Sequence, residues 1–354
     1  MELGKSVCSV FLDVRKAFDS VPHTILVNKL QSHGLNVYLL RWICDYLSDR
    51  EQCVVLNGVT SRPQPFPSRV PQGSVLGPFL FTLYINDLAD LQLSEGSKLV
   101  AYADDLLLYK PVDSNADYSR VQEDLTTIYH WMSRNSLTLN AAKCKQMVIT
   151  RSRTHRYLQL YLASQPLECV QSYKYLGVII TSNLSWSKQI QSICNKSRKL
   201  VGLLYRQFYL NADSDTLRQF YLSCIRPHLE YACTVWDPYL AKERTLLEGV
   251  QKFACKVCCK SWNMDYESML GHLNIPTLQQ RRLQLKASMM YQFVHGESYI
   301  PEDILLLHPP SNYDTHNCSY FSVPYARTNA YYYSFFPHVT FLELPSTYCS
   351  SGTK

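Results

Sequence analysis

The sequence has no long apolar run. Its most hydrophobic stretch, residues 75–91, is broken by Pro78, Asn86, Asp87 and Asp90, so no segment reads as a membrane span. Residues 7–12 are apolar but run straight into Asp13, too short a stretch for a secretory signal. Paired cysteine spacing is missing too. The 13 cysteines are odd in number and scattered, which excludes a secreted disulfide framework and reads as reduced thiols in the nucleus or cytoplasm. Cys255, Cys258 and Cys259 lack a matching second pair and fall inside an amphipathic run, so they read as structural and not as a closed zinc site. The 10 histidines show no metal spacing, and there is no internal repeat or low-complexity segment. A strong charge of one sign is also absent. With 35 basic against 29 acidic residues, the surplus of +6 permits a polyanionic partner without demanding one.

What is present is enough apolar material for a sizeable core: 46% of 354 residues, a length that suggests two domains. Residues 7–13 read as a buried strand ending on a carboxylate. Pro22 then opens a helix carrying Ile25, Leu26 and Leu30 on one face, and a second helix spans 36–47. Residues 52–62 read as a hairpin turning at Asn57-Gly58, followed by a Pro- and Ser-rich loop at 63–73 and an apolar helix at 74–91. Strands at 98–103 and 106–110 flank Asp104 and Asp105. A helix at 116–134 and strands at 145–150, 157–162 and 173–180 follow. Beyond residue 182 amphipathic helices take over, at 184–206, 214–226, 241–260 and 277–295. The expected division is 1–182, 183–300 and a Pro-, Ser- and Tyr-rich tail at 301–354.

Three carboxylates stand where carboxylates are costly. Asp13 ends an apolar strand, and Asp104 and Asp105 sit at the turn of an apolar hairpin. Neighbouring strands that each present a carboxylate at one end make a clamp for Mg²⁺. Two such ions about 4 Å apart serve in-line phosphoryl transfer. Mg²⁺ needs few protein ligands, because phosphates and water complete its shell. Taken singly, DVRKAFD is also a plain strand end with a helix cap, and YADD an ordinary turn. The order DVRKAFD, PQGSVLGP, YADD, YLGV within one framework is far more specific.

These segments resemble the reverse transcriptases of non-LTR (LINE-type, jockey-like) retrotransposons. FLDVRKAFDSVPH is similar to the first palm motif, VPQGSVLGPFLFTLYINDL to the second, AYADDLLLY to the catalytic hairpin, SLTLNAAKCKQMVI to the fourth and YKYLGVII to the fifth. YACTVWDP, LLEGVQKFA and SFFPHVTF resemble segments beyond the palm.

The resemblance implies an α+β right-hand polymerase palm with a helical thumb and a C-terminal extension. It implies RNA-templated DNA synthesis from deoxynucleoside triphosphates on a DNA primer, with Mg²⁺ (Mn²⁺ as the alternative). By this analogy Asp13 and Asp104 ligate metal, with Asp105 beside them. Asp19 reads as a helix-terminal acid. Phe18 matches the position under the incoming sugar, where a bulky ring selects against a 2′-hydroxyl; the alternative is a core Phe. Gln72 and Gly73 match residues around the nascent base pair and template, in a loop that also leads into a helix capped by Ser74. Lys143 matches the lysine that protonates pyrophosphate, with Lys145 competing for the role. Leu176 and Gly177 match the primer grip; the alternative is an ordinary sheet hairpin. Lys188, Lys196, Arg198, Lys199, Arg206, Arg281 and Arg282 are candidates for phosphate contacts or for a solvated helix face.

The sequence also departs from the family. No fingers region precedes the first motif, no endonuclease or RNase H signature is seen, and Arg69 stands where relatives carry Gly. These departures keep open a catalytically inactive remnant that binds RNA or protein.

Overall fold

The computed structural model describes residues 5–65, 69–71, 73–152, 157–298 and 325–341. The chain divides into two compact units. The first holds Leu3–Leu176 and Thr181–Leu184, the second Gly177–Ile180 and the chain from Ser185 onward.

The first unit begins with β1 (Ser6–Asp13), helices α1 (His23–Ser32) and α2 (Val37–Leu47), and four two-residue strands, β2 (Glu51–Gln52), β3 (Val55–Leu56), β4 (Val59–Thr60) and β5 (Gln64–Pro65). It continues with α3 (Leu76–Ile85), β6 (Lys98–Tyr102), β7 (Asp105–Val112), α4 (Asn115–Arg134) and β8 (Lys145–Ile149). The short β9 (Tyr161–Leu162), β10 (Gln165–Pro166) and β11 (Glu168–Cys169) precede β12 (Ser172–Tyr175), after which the chain turns at Leu176 and Gly177 into β13 (Val178–Thr181), whose residues up to Ile180 belong to the second unit.

Five strands form the main sheet in the order β11-β8-β1-β7-β6. The central strand, β1, pairs antiparallel with both β7 and β8, and both of its faces are covered, which explains a mostly apolar run broken only by the buried Ser9. Cys8, Val10 and Leu12 enter the core beneath the helices. Phe11 points to the other face, where Tyr173 stacks on it with ring centroids 4.1 Å apart. Helix α4 packs Val121, Leu125, Ile128 and Met132 into the same core, and its start is fixed by a reciprocal capping box between Ser114 and Asp117.

The second unit is helical: α5 (Ser187–Phe208), α6 (Ser214–Phe220), α7 (Arg226–Glu230), α8 (Cys233–Trp236), α9 (Ala241–Cys258), α10 (Tyr266–Leu273), α11 (Leu278–Val294), α12 (Asn329–Tyr332) and α13 (Phe335–Phe341). Two apolar clusters hold it together. One is built on Val201, Leu204, Tyr221 and Cys255, the other on Ile190, Trp236, Leu247 and Leu278. The buried Cys255 and Cys258 are packing residues. Among the described residues all 11 cysteines are free, and no group of three or more His, Cys, Asp or Glu side chains is arranged to hold a metal ion. No helix among the described residues is long and apolar enough to cross a membrane.

Mixed helix and sheet is the expected class, but several elements differ from the sequence reading. The helix expected at 214–226 ends at Phe220, passes through a π-helical turn (Tyr221–Ile225) and resumes as α7. Pro227 is the reason: it lacks the N–H needed to continue an α-helical ladder from the preceding turn. The strand expected at 157–162 shrinks to Tyr161–Leu162, and the one at 173–180 is split by the turn at Leu176 and Gly177. Most of the tail expected at 301–354 lies outside the described residues.

The basic helix α11 is the clearest correction. Arg282 and Lys286 do not face solvent. Both are almost fully buried, with Arg282 Nε 2.7 Å and Lys286 Nζ 2.6 Å from the Asp237 carboxylate. Arg281 pairs with Glu230 at 2.9 Å. Burial of a cation on an otherwise amphipathic helix needs a partner anion, and Asp237 of the WDP segment supplies it.

Candidate active site

β1 carries Asp13 to the end of the sheet, where the register sets it directly opposite Asp105, the first residue of β7. Asp105 in turn pairs with Tyr102 of β6, so Ala103 and Asp104 form a two-residue turn. Ala103 takes a left-handed φ of 52°, as tight hairpins of this kind require. Asp13 and Asp105 therefore face each other across two adjacent strands at one end of the sheet, with Asp104 in the adjoining turn.

The backbone of Asp13 is fixed by the loop before β8. Its N–H donates to Cys144 Sγ at 3.4 Å, and its carbonyl accepts from the Asn140 N–H at 2.8 Å. The same loop sets Lys143 Nζ 3.6 Å from Asp13 Oδ2. Lys145, its competitor in the sequence, is engaged elsewhere: it pairs with Glu168 at 2.7 Å and donates to the Ala142 carbonyl.

The electrostatics show crowding of like charge. Burial pushes the Asp105 carboxyl above its ordinary value, and Asp104 and then Asp13 push it further. The hydroxyls of Tyr173 and Tyr175 are raised for related reasons, by burial first and then by Asp105. Both rings lie against Phe11, and the Tyr175 hydroxyl is buried without a hydrogen-bond partner. Sequence reasoning passed over these two tyrosines. Their spacing in YKY, two residues apart on a strand, places them on one face and was the available signal. Asp105, Asp104 and Asp13 supply hard carboxylate oxygens, the donor type a hard divalent cation takes with phosphate and water as its other ligands, although the three are not pre-arranged as a metal-holding group.

The other predicted residues fall around this centre in different ways. Phe18 is half-buried and packs on Phe81 at 4.6 Å between centroids, and its carbonyl accepts from the Val70 N–H. Asp19 pairs with Arg69 at 3.5 Å. Arg69 holds a φ of 130°, in the region that favours glycine. Gln72 lies outside the described residues. Gly73 is exposed with a φ of 78°. The Ser74 hydroxyl accepts from the Gly77 N–H at 3.0 Å in the first turn of α3, but the residue at the N-cap is Val75 and not the expected Ser74. At Gly77 itself a Cβ would stand 2.6 Å from the Pro71 carbonyl oxygen, so only glycine fits there. Leu176 and Gly177 both take positive φ, 45° and 83°.

Residues 1–180 match the reverse transcriptase (RNA-dependent DNA polymerase) family, and the chain belongs to it. The fold around the carboxylates and the motif order agree with that placement. Among relatives, the RNA-directed DNA polymerase from mobile element jockey of Drosophila funebris is 29% identical over 284 residues, covering 76% of this chain and 30% of its own length. The probable RNA-directed DNA polymerase from transposon X-element of Drosophila melanogaster is 28% identical, over 66% of this chain and 26% of its own length. The chain thus spans between about a quarter and a third of these jockey and X-element relatives. Among solved structures, telomerase from Candida albicans with a fragment of telomeric RNA overlaps 75% of this chain and 42% of its own, at 12% identity and a TM-score of 0.39.

Proposed function

We propose that the chain is the palm and thumb portion of an RNA-directed DNA polymerase from a non-LTR retrotransposon, with residues 1–182 as palm and 183–300 as thumb. The observation that carries this reading is the register of β1 on β7, which sets Asp13 against Asp105 with Asp104 in the adjoining turn.

Asp13 and Asp104 would hold divalent metal, Mg²⁺ or Mn²⁺, with Asp105 beside them. A divalent metal held there would supply activation of the primer 3′-hydroxyl and neutralisation of charge on the triphosphate. The protein's own work is positioning. Asp13 is fixed at both its N–H and its carbonyl by the Asn140–Cys144 loop. Lys143, already beside Asp13, supplies a proton to pyrophosphate as it leaves. Phe18, braced by Phe81, excludes a ribose 2′-hydroxyl and so selects deoxynucleotides. Gln72 and Gly73 line the template base, and Leu176 with Gly177 holds the primer end. The partners are an RNA template, a DNA primer and deoxynucleoside triphosphates, met in the nucleus or cytoplasm.

Primer extension on poly(rA)/oligo(dT) with Mg²⁺ tests this. The unaltered chain extends the primer, and Asp104→Asn abolishes extension while leaving the circular dichroism spectrum unchanged. Full activity in Asp104→Asn would sink the mechanism. A second reading, an inactive relative that still binds RNA or protein, is favoured by the strained φ of Arg69 beside the second motif. RNA binding without any extension by the unaltered chain selects it.

A further inference from the structure

Within the second unit, α5 packs against α9, and their C-terminal ends share a surface whose aromatic rings have no role above, next to basic residues of α5 already read as candidate phosphate contacts. Four aromatic rings run across it. Tyr205 and Tyr209 of the α5 end lie with centroids 4.8 Å apart, Trp262 meets Tyr205 edge-on at 6.1 Å, and Phe253 lies 6.3 Å from Trp262. These rings are not simply core. Tyr205 is 40% and Trp262 47% exposed; Phe208, three residues further along α5 and packed on Phe220, is 43% exposed. Cations are set among them: Lys256 Nζ lies 5.8 Å from the Trp262 ring, and Lys260 Nζ 5.8 Å from the Tyr209 ring. Arg206, Lys199 and Arg198 continue the basic character along the exposed side of α5. The acid in the neighbourhood is Asp213, lowered mainly by its bond to Thr216 and also by Lys260, and it is already committed as the cap of α6.

Exposed aromatic rings cost free energy in water unless something covers them, and ammonium groups interleaved with them specify a partner that is both flat and anionic. A duplex offers phosphates but keeps its bases stacked inside. An unpaired strand offers both the base faces and the phosphates. We infer that this surface of α5 and α9 is a platform for single-stranded RNA, on which bases stack against Tyr205 and Trp262 while Lys256, Lys260 and Arg206 meet the backbone. The choice of RNA over DNA rests on the polymerase reading above, in which RNA is the strand that runs on unpaired beyond the site of synthesis.

The test is binding of a labelled oligo(U) to the whole purified chain across a series of salt concentrations, repeated in the Asp104→Asn variant so that binding is read apart from synthesis. Tyr205→Ala with Trp262→Ala should weaken binding at least roughly ten-fold at constant salt slope, while Tyr205→Phe with Trp262→Phe should keep it. Lys256→Ala with Lys260→Ala should reduce the slope of log affinity against log salt by about 1.4, two phosphate contacts on a single strand. Melting curves identify any variant that has lost its fold. Unchanged affinity in the alanine pair that keeps its melting temperature overturns the inference, and primer extension by the unaltered chain would then leave the polymerase reading standing. Tighter binding of the matching DNA oligonucleotide overturns the assignment to RNA.

Discussion

Burial beside Asp104 and Asp13 pushes the Asp105 carboxyl above its ordinary value of 3.8. An acid raised in the folded state binds protons more readily there than in the unfolded chain. Its stabilising contribution is therefore full below the ordinary value and is lost as pH rises through the raised one. Near neutral pH the ionised Asp105 is a local burden on the fold. Asp105→Asn should accordingly melt higher than the parent near pH 7, with the gap closing as pH falls toward about 4, as thermal denaturation at both pH values will show. A variant that melts lower than the parent near pH 7 would refute this. The position of Asp13 and Asp104 at the ends of apolar strands was legible in the sequence because a carboxylate interrupting an apolar run is anomalous in itself. Which of Lys143 and Lys145 lies beside Asp13 was not legible. It depends on Glu168, which the parallel pairing of β11 with β8 sets opposite Lys145, 23 residues away in the chain.

At the scale of the element, periodicity located the longer helices of both units, passed over the short α8, α10, α12 and α13, and misjudged one face of α11. Amphipathic reading assigns charge to water, but Asp237, 45 residues before Arg282, draws that residue and Lys286 inside. The cluster is asymmetric, with two buried cations on one carboxylate. Removing the carboxylate leaves two uncompensated charges, whereas removing Arg282 leaves Asp237 still paired with Lys286. Asp237→Ala should therefore cost more than Arg282→Met, with the former at or above about 3–5 kcal/mol. Urea denaturation of the two variants gives the order directly, and the reverse order would refute it. The turn at Leu176 and Gly177 escaped strand prediction for a related reason. Two consecutive positive φ values are usually announced by Asn-Gly, and Leu in the first position sends no such signal.

For the molecule as a whole, the thiols report how much of the chain is packed. Burial pushes Cys8 and Cys258 up to about 12, and Cys194 and Cys233 up to about 11, with smaller electrostatic contributions from neighbours. Such thiols are almost wholly protonated at neutral pH and shielded as well. A native thiol titration should therefore label the exposed Cys53 and Cys224 first among the described cysteines, with the buried ones reacting only after denaturant is added. Rapid native labelling of Cys8 or Cys255, read by mass spectrometry of peptides, would contradict the packing. Family membership was legible at this scale because motif order survives where overall identity has fallen to about 29%. The burial of Arg282 was not legible at any scale below the fold.

β1 meets β7 along eight consecutive pairs, from Ser6 with Val112 to Asp13 with Asp105. Side chains alternate faces, so sliding β1 by one residue would turn Cys8, Val10 and Leu12 out of the core in the same motion that turns Asp13 away from Asp105. On the polymerase reading proposed above, a single-codon deletion within this strand would cost the chain its fold together with its chemistry, whereas a point change at Asp13 or Asp104 would remove the chemistry alone. On that reading, drifting copies of such a gene should fall silent first by substitution, leaving well-folded proteins that no longer synthesise anything.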